Sequence, residues 1–448
     1  MNGAIMKMEG VVRGRERDAL FHMSLALLIG FSVLTLPLGA QPPAPLQTAR
    51  LLSEAREPVR IVCFGDSITG VYYHSGNRRA WPEMLKVALN RLYPKADVTV
   101  FNAGVSGNTS AQGLARMQKD VLDRKPHLVV VMFGMNDLAY GAVAEEVDAA
   151  QKAAFTNNLH VIVEKCRAIG AEVMLCTQNP VYPEALPARP PARVGDFAGL
   201  IRQAGQKLGV SVVDVFTEWD ALRASDVTAW RLLMSETIHP SMSGHKRMAE
   251  RVAETISGRA VSLADVLPEQ PVCGGLIARL KEGKPVSIAA PAALAPYVRA
   301  MVLQLFPSAT LTIIPLSETA ASLDALVAEC QGLRAQTPQL VFVSLSPDLL
   351  TFENEETFIR QVSWIVNGSL PFSGTAWTAV GVDPAWSSPG LTQRQLTGSD
   401  FLKKIVQGHD LDWVEAAPKV QEALDDWFSG QFSLVMGYRP DRIRITIF

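Results

Sequence analysis

The sequence has no large excess of charge of either sign: Lys and Arg number 42 against 44 Asp and Glu, and only 19% of residues carry a charge. Such a balance supplies no broad electropositive face, so nucleic acid is excluded as an expected partner. Cysteine is scarce, and the five present, Cys63, Cys166, Cys176, Cys273 and Cys330, are odd in number and never at C-x-x-C spacing. Buried free thiols are therefore expected rather than a disulfide framework, since Cys63 and Cys176 stand inside apolar runs. None of the seven histidines belongs to an H-E-x-x-H pair or a similar ligand spacing, so neither a catalytic metal nor another cofactor is expected.

No apolar run reaches the roughly 20 residues that a membrane span needs. The most apolar one, at 25–38, follows Lys7, Arg13, Arg15 and Arg17 and runs through Pro37-Leu38-Gly39-Ala40 into a polar, proline-rich stretch. This order is a secretory signal pattern. Residues 1–40 are read as a signal peptide, with Met6, Met8 and Met23 as alternative starts and a retained anchor as the other reading of the run. The expected location is secreted or periplasmic, with no stable membrane insertion after signal removal, or membrane-anchored if the signal stays uncleaved.

Length and alternation are what the chain does have. At 448 residues it exceeds the size, roughly 250–300, at which a single core stops growing, so two domains are expected. After a linker at 41–57, apolar runs at 59–64, 98–102, 128–133, 172–177 and 210–215 are separated by helical stretches at 81–92, 148–169 and 197–208. Strands joined by helical crossovers make a parallel sheet, and continuous apolar runs mean helices on both faces. A last helix at 243–256, with Met248, Val252 and Ile256 on one face, closes a first domain at 58–257. Pro268-Glu269-Gln270-Pro271 and Gly274-Gly275 mark a linker at 258–283, and a second domain at 284–448 ends in an expected hairpin of 432–436 and 442–448.

In parallel α/β sheets ligands bind beyond the carboxyl ends of the strands. The first strand runs into Gly65-Asp66-Ser67, the second into Gly104, the third into Gly134-Met135-Asn136, and Glu236 and His239 stand just before the final helix. Through these blocks the chain resembles the SGNH, or GDSL, hydrolases over about residues 58–256. The resemblance implies a flavodoxin-like three-layer α/β/α domain that hydrolyses carboxylic esters. It assigns Ser67 as nucleophile, His239 as base, and the Ser67 amide, Gly104 amide and Asn136 side chain as oxyanion donors. The chemistry agrees, because a serine hydroxyl needs an imidazole to take its proton and a developing oxyanion needs preorganised N–H groups. Where the family has Asp three residues before the histidine, this chain has Glu236. It either orients His239 and completes a triad or lies in solvent and leaves a Ser67–His239 dyad. Asp66 and Asp137 are expected to fix their loops by hydrogen bonds.

Beside the nucleophile, Tyr72, Tyr73, Arg78 and Arg79 form a polar, aromatic loop expected to bind substrate, since Tyr rings stack on sugars and Arg holds hydroxyls or carboxylates. The expected partner is a small-molecule or glycan ester, with short acyl esters of carbohydrates as the substrate. An O-acyltransferase, or a lipase or thioesterase of the same fold, is the alternative.

The second domain repeats the first. Leu305-Phe306-Pro307 echoes Leu92-Tyr93-Pro94, Pro338-Gln339-Leu340-Val341 echoes Pro126-His127-Leu128-Val129, and Asp383-Pro384 echoes Asn179-Pro180, at nearly constant separation. In this register Ser67 falls near Ala293, Gly104 on Ser317, and Gly134-Met135-Asn136 on Ser346-Pro347-Asp348. A degenerate SGNH-like α/β domain without catalysis is expected, serving to pack against the first domain or to bind a glycan.

Overall fold

Five largely apolar segments of the first half pair side by side. In the computed structural model, which describes residues 46–138, 145–185, 189–317, 322–388, 390–415 and 419–437, they are β1 (Val59–Gly65), β2 (Val98–Gly104), β3 (Leu128–Met132), β4 (Glu172–Cys176) and β5 (Ser211–Val213). All pairs are parallel, in the order β2-β1-β3-β4-β5. β5 stops short of the expected 215 because the Asp214 side chain accepts from Thr217 N and caps the helix Val215–Ser225. Helices Trp81–Leu92, Glu145–Ala168, Pro191–Leu208 and Met242–Ser257 supply the covering layers. Met248, Val252 and Ile256 of the last are buried, as their spacing predicts. Phe64, Trp81, Phe133, Phe155 and Phe197 fill the core, each worth about 1.5–3 kcal/mol of hydrophobic burial.

The second sheet comprises β6 (Val286–Pro291), β7 (Leu311–Leu316), β8 (Leu340–Val343), β9 (Thr378–Val382) and β10 (Asp412–Val414), all parallel. Read from its β7 edge, its order β7-β6-β8-β9-β10 matches that of the first sheet. Register agrees too: Val59 pairs with Val98 at the start of β1, and Val286 with Leu311 at the start of β6. Alternate residues of its strands enter separate cores, Leu340 and Phe342 on one face and Val341 and Val343 on the other, as the period of two in a strand requires. Both sheets lie within one compact unit.

Three expectations are corrected. The linker at 41–57 contains a helix, Gln47–Glu54, with Leu52 buried and the Glu172 carboxylate accepting from the amides of Gln47 (2.6 Å) and Thr48 (2.7 Å). The linker at 258–283 contains another, Gly274–Lys281, which buries Leu276, Ile277 and Leu280 against the second sheet, so Gly274-Gly275 opens a helix instead of breaking one. The first arm of the expected hairpin, 432–436, belongs almost wholly to the helix Val420–Val435, whose period-3.6 face buries Val420, Leu424, Phe428 and Gln431. The second arm, 442–448, and the signal reading of 1–40 lie outside the described residues. Among the described residues no helix is long and apolar enough to cross a membrane.

Candidate active site

The order β2-β1-β3 makes the end of β1 a switch point, where successive crossovers leave in opposite directions and a crevice opens. Ser67 stands two residues beyond it, 7% exposed. Its Oγ lies 2.8 Å from Nε2 of His239, which the loop before helix Met242–Ser257 carries across the crevice. Nδ1 of the same imidazole contacts Glu236 Oε1. With Nδ1–H given to the carboxylate, Nε2 is the free lone pair and the serine hydroxyl donates to it.

Glu236 reaches Nδ1 despite its extra methylene because the turn folds back on itself. Ser235 N donates to His239 O (2.9 Å), and Met234 bridges Pro240. Within that turn Oε1 also accepts the His239 amide (2.7 Å), and Oε2 accepts Thr237 Oγ1 (3.0 Å) and the Ile238 amide (3.2 Å). Burial pushes the Glu236 carboxyl up, but the His239 charge and these hydrogen bonds outweigh it and hold the group below its usual range. The carboxylate is 5% exposed, not solvated.

The expected oxyanion donors differ in what they touch. The Ser67 amide makes no hydrogen bond among the described residues. Arg189, 8% exposed, donates to Met135 O (3.0 Å) and Asn136 Oδ1 (2.7 Å), which turns the Asn136 Nδ2 towards Asn108 O (3.2 Å) and Asp66 Oδ2 (3.4 Å). The Gly104 amide is instead engaged by Asn102 Oδ1 (3.0 Å) within its own turn. Space explains the glycine: a Cβ at 104 would stand 2.2 Å from the Gly70 nitrogen. Asp66 accepts the Ile68 amide (2.9 Å) and Asp137 the Ser110 amide (2.9 Å), the loop-fixing bonds expected of them.

The substrate expectation for the loop after the nucleophile needs correction. Arg78 spends its donors on the carbonyls of Glu269 (2.8 Å), Pro271 (3.0 Å) and Val272, and Arg79 on Leu267 O (2.8 Å) and a two-pronged ion pair with the buried Asp410 (2.9 and 2.5 Å). Both arginines tie this loop to the connecting segment and the second domain. Tyr73 gives its amide to Phe372 O (3.4 Å) and packs its ring on that of Phe372, while the Tyr72 hydroxyl accepts the Ser106 amide (2.8 Å).

Sequence reasoning missed Arg189, whose contact with Asn136 follows from no spacing, and the buried braces of the second domain. Asn367 Nδ2 donates to Ser235 O (2.9 Å), and the Ser235 hydroxyl lies 3.0 Å from Asn367 Oδ1 and 3.1 Å from His409 Nε2. The residue next to Glu236 is thus held from the second domain. That domain has a cavity of 210 Å³ in the matching position, lined by Pro291, Ser317, Ser344, Ser346 and Trp386 among others. Among the described residues that line it there is no acid–base pair.

Asp66 gives a pH test. Burial above all, with a contribution from Asp137, raises its pKa to about 7, against lowering by the Ile68 amide and by His239 and Arg189. In the folded chain the proton is kept between the ordinary value near 3.8 and about 7, whereas the unfolded chain has released it. The contribution of Asp66 to stability therefore falls as pH rises through that window, and its full cost is reached above it. Asp66→Asn is expected to gain thermal stability relative to the wild type on going from pH 5 to pH 8.5. A melting-temperature difference that stays constant between these pH values contradicts the assignment.

The family model described as GDSL-like Lipase/Acylhydrolase family matches residues 63–247. The lipoprotein YqeF of Bacillus subtilis is 33% identical over 29% of this chain and 51% of its own, so the chain spans about half the length of that relative. Esterase TesA of Pseudomonas aeruginosa is 27% identical over 46% of this chain and 92% of its own. An acetylxylan esterase of Geobacillus stearothermophilus is 28% identical over 36% of this chain and 73% of its own. Strand order and the residues at the strand ends accord with the match of residues 63–247 to the family model described as GDSL-like Lipase/Acylhydrolase family.

Proposed function

We propose that the chain is a secreted serine esterase that removes short acyl groups, acetyl above all, from carbohydrate esters through an acyl-enzyme on Ser67. The observation that carries the reading is the continuous contact from Ser67 Oγ through His239 to Glu236. As Ser67 Oγ attacks the ester carbonyl, its proton passes to His239 Nε2, and the buried Glu236 carboxylate balances the imidazolium. The carbonyl oxygen gains negative charge, which the Ser67 amide receives together with Asn136 Nδ2 as the latter gives up its long contact to Asp66 Oδ2 (3.4 Å), and each such donor is worth roughly 3–4 kcal/mol of barrier. His239 returns the proton to the leaving alkoxide. Water, deprotonated by the same imidazole, then attacks the acyl-serine and releases the carboxylic acid and the free hydroxyl of Ser67.

The name of the acetylxylan esterase relative supports the carbohydrate reading, as does Phe372, 64% exposed on its contact with Tyr73, since an aromatic face can carry a sugar ring. The test compares acetate release from acetylated xylan with fatty-acid release from phospholipid, with product analysis by mass spectrometry. Acetate release in excess supports the reading. Preferential cleavage of long acyl chains, or acyl groups found on added glycan hydroxyls instead of in water, overturns it.

A further inference from the structure

Resting on the serine-esterase reading, we infer that His74 is a positioning residue: its neutral ring is the platform on which His239 becomes an imidazolium, and the second domain holds that platform. The two rings are stacked with centroids 4.6 Å apart and planes 5° from parallel. His74 is 1% exposed, and behind it His245, fully buried, stacks at 5.6 Å. Stacking fixes the plane of His239, the plane in which Nε2 must meet Ser67 Oγ while Nδ1 meets Glu236.

The protons along the stack are settled by the backbone. Trp81 N donates to His245 Nδ1 (3.2 Å), so His245 carries its proton on Nε2, which faces His74 Nδ1 at 3.5 Å. His74 then bears its proton on Nε2, a buried atom with no full hydrogen bond whose weak partner is the Ser67 backbone. Burial first, then the nearby charges of His239, His245 and His409, hold the His74 pKa well below the usual histidine value, so the ring stays uncharged. A neutral π face attracts a cation and a charged ring repels one. His239 is cationic once the O–H bond of Ser67 has broken and the N–H bond at Nε2 has formed, so the platform favours the transition state over the ground state.

The loop that carries His74 adds to its own turn bonds, such as Asn77 N to Tyr72 O (3.0 Å), a set of bonds to the second domain. Tyr73 N bonds Phe372 O, Asn77 Nδ2 bonds Pro371 O (2.8 Å), and Arg79 pairs with Asp410, all acceptors from the second domain. A side chain at Gly76 would collide with His409 O at 2.4 Å, so backbone meets backbone there. The degenerate domain thus braces the catalytic centre at two places, this loop and Ser235.

The test uses the full-length chain and a soluble aryl acetate. His74→Leu removes the π face, whereas His74→Phe keeps a flat ring. Non-aromatic replacement is expected to lower kcat about 10-fold, within the roughly 2- to 30-fold of a cation–π contact, with KM unchanged. The Phe variant is expected to recover most of the loss at the same melting temperature. Should the Leu variant not fold, His74→Met poses the same question. Equal kcat in the Phe variant and the non-aromatic variant overturns the inference, as does a loss confined to KM. Hydrolysis that survives Ser67→Ala contradicts the serine reading instead, so the two failures are distinct.

Discussion

Ser67→Ala is expected to lower kcat for ester hydrolysis by on the order of 10⁶-fold, to abolish covalent labelling by an organophosphonate ester, and to leave the melting temperature close to that of the wild type. The size follows from the role proposed for the hydroxyl. An activated serine and its base act as a unit, so removing either discards nearly all of what the unit contributes, and a residual acceleration from the oxyanion donors is what survives. The fold is spared because Ser67 Oγ makes its side-chain bond to His239 and holds no strand or helix in place. Labelling requires an activated nucleophile, so it separates chemistry from packing. Labelling at another serine, or near wild-type turnover in the Ala variant, contradicts the assignment.

The second large effect is expected at Glu236. Glu236→Gln keeps the length of the side chain but replaces an acceptor-only carboxylate with an amide, which can present N–H to Nδ1 and so favour the wrong tautomer of His239. In serine hydrolases a carboxylate-to-amide change at this position costs about 10⁴-fold in kcat, and a loss of that order is expected here. Glu236→Asp should retain part of the activity, because the charge stays while the shorter chain gives up some of the bonds that Oε1 and Oε2 make to the turn at Thr237, Ile238 and His239. Turnover of the Gln variant near that of the wild type would mean that Ser67 and His239 work as a dyad. Steady-state kcat with an aryl acetate, measured beside the melting temperature of each variant, decides between these outcomes.

The second domain also changes what truncation means for this chain. Its sheet repeats the strand order of the first, yet Ser346, Pro347 and Asp348 follow β8 where Gly134, Met135 and Asn136 follow β3. The copy therefore carries the architecture without the donors. On the positioning role inferred for His74, its contribution is rigidity: the buried bond from Asn367 to Ser235 and the part-buried pair of Arg79 with Asp410 tie down the segments that bear Glu236 and His74. Positioning of this kind decides rates, because a misplacement of about 1 Å can cost about 10²-fold.

The sequence by itself determined the parallel sheets, their repeat and the residues at the strand ends. Runs such as Leu128–Met132 are apolar without alternation, which only a strand covered on both faces tolerates, and Ser67, Asn136 and His239 follow from their places beyond strands and before the last helix. These are local signals, legible because burial and the positions of turns are written along the chain. Only the tertiary structure decided the rest. Arg78 and Arg79 look like ligand-binding cations in the sequence, but their partners, Val272 and Asp410, stand 194 and 331 residues away. The Gly104 amide turns to Asn102, Arg189 orients Asn136, and His74 stacks on His239 from a loop with no motif of its own. The segment at 432–436 reads as a strand arm in the sequence, yet it continues the helix Val420–Val435, with Phe432 and Val435 packed against the second core. Each of these turns on which distant groups meet, and the free energy of such contacts depends on geometry that no local pattern encodes.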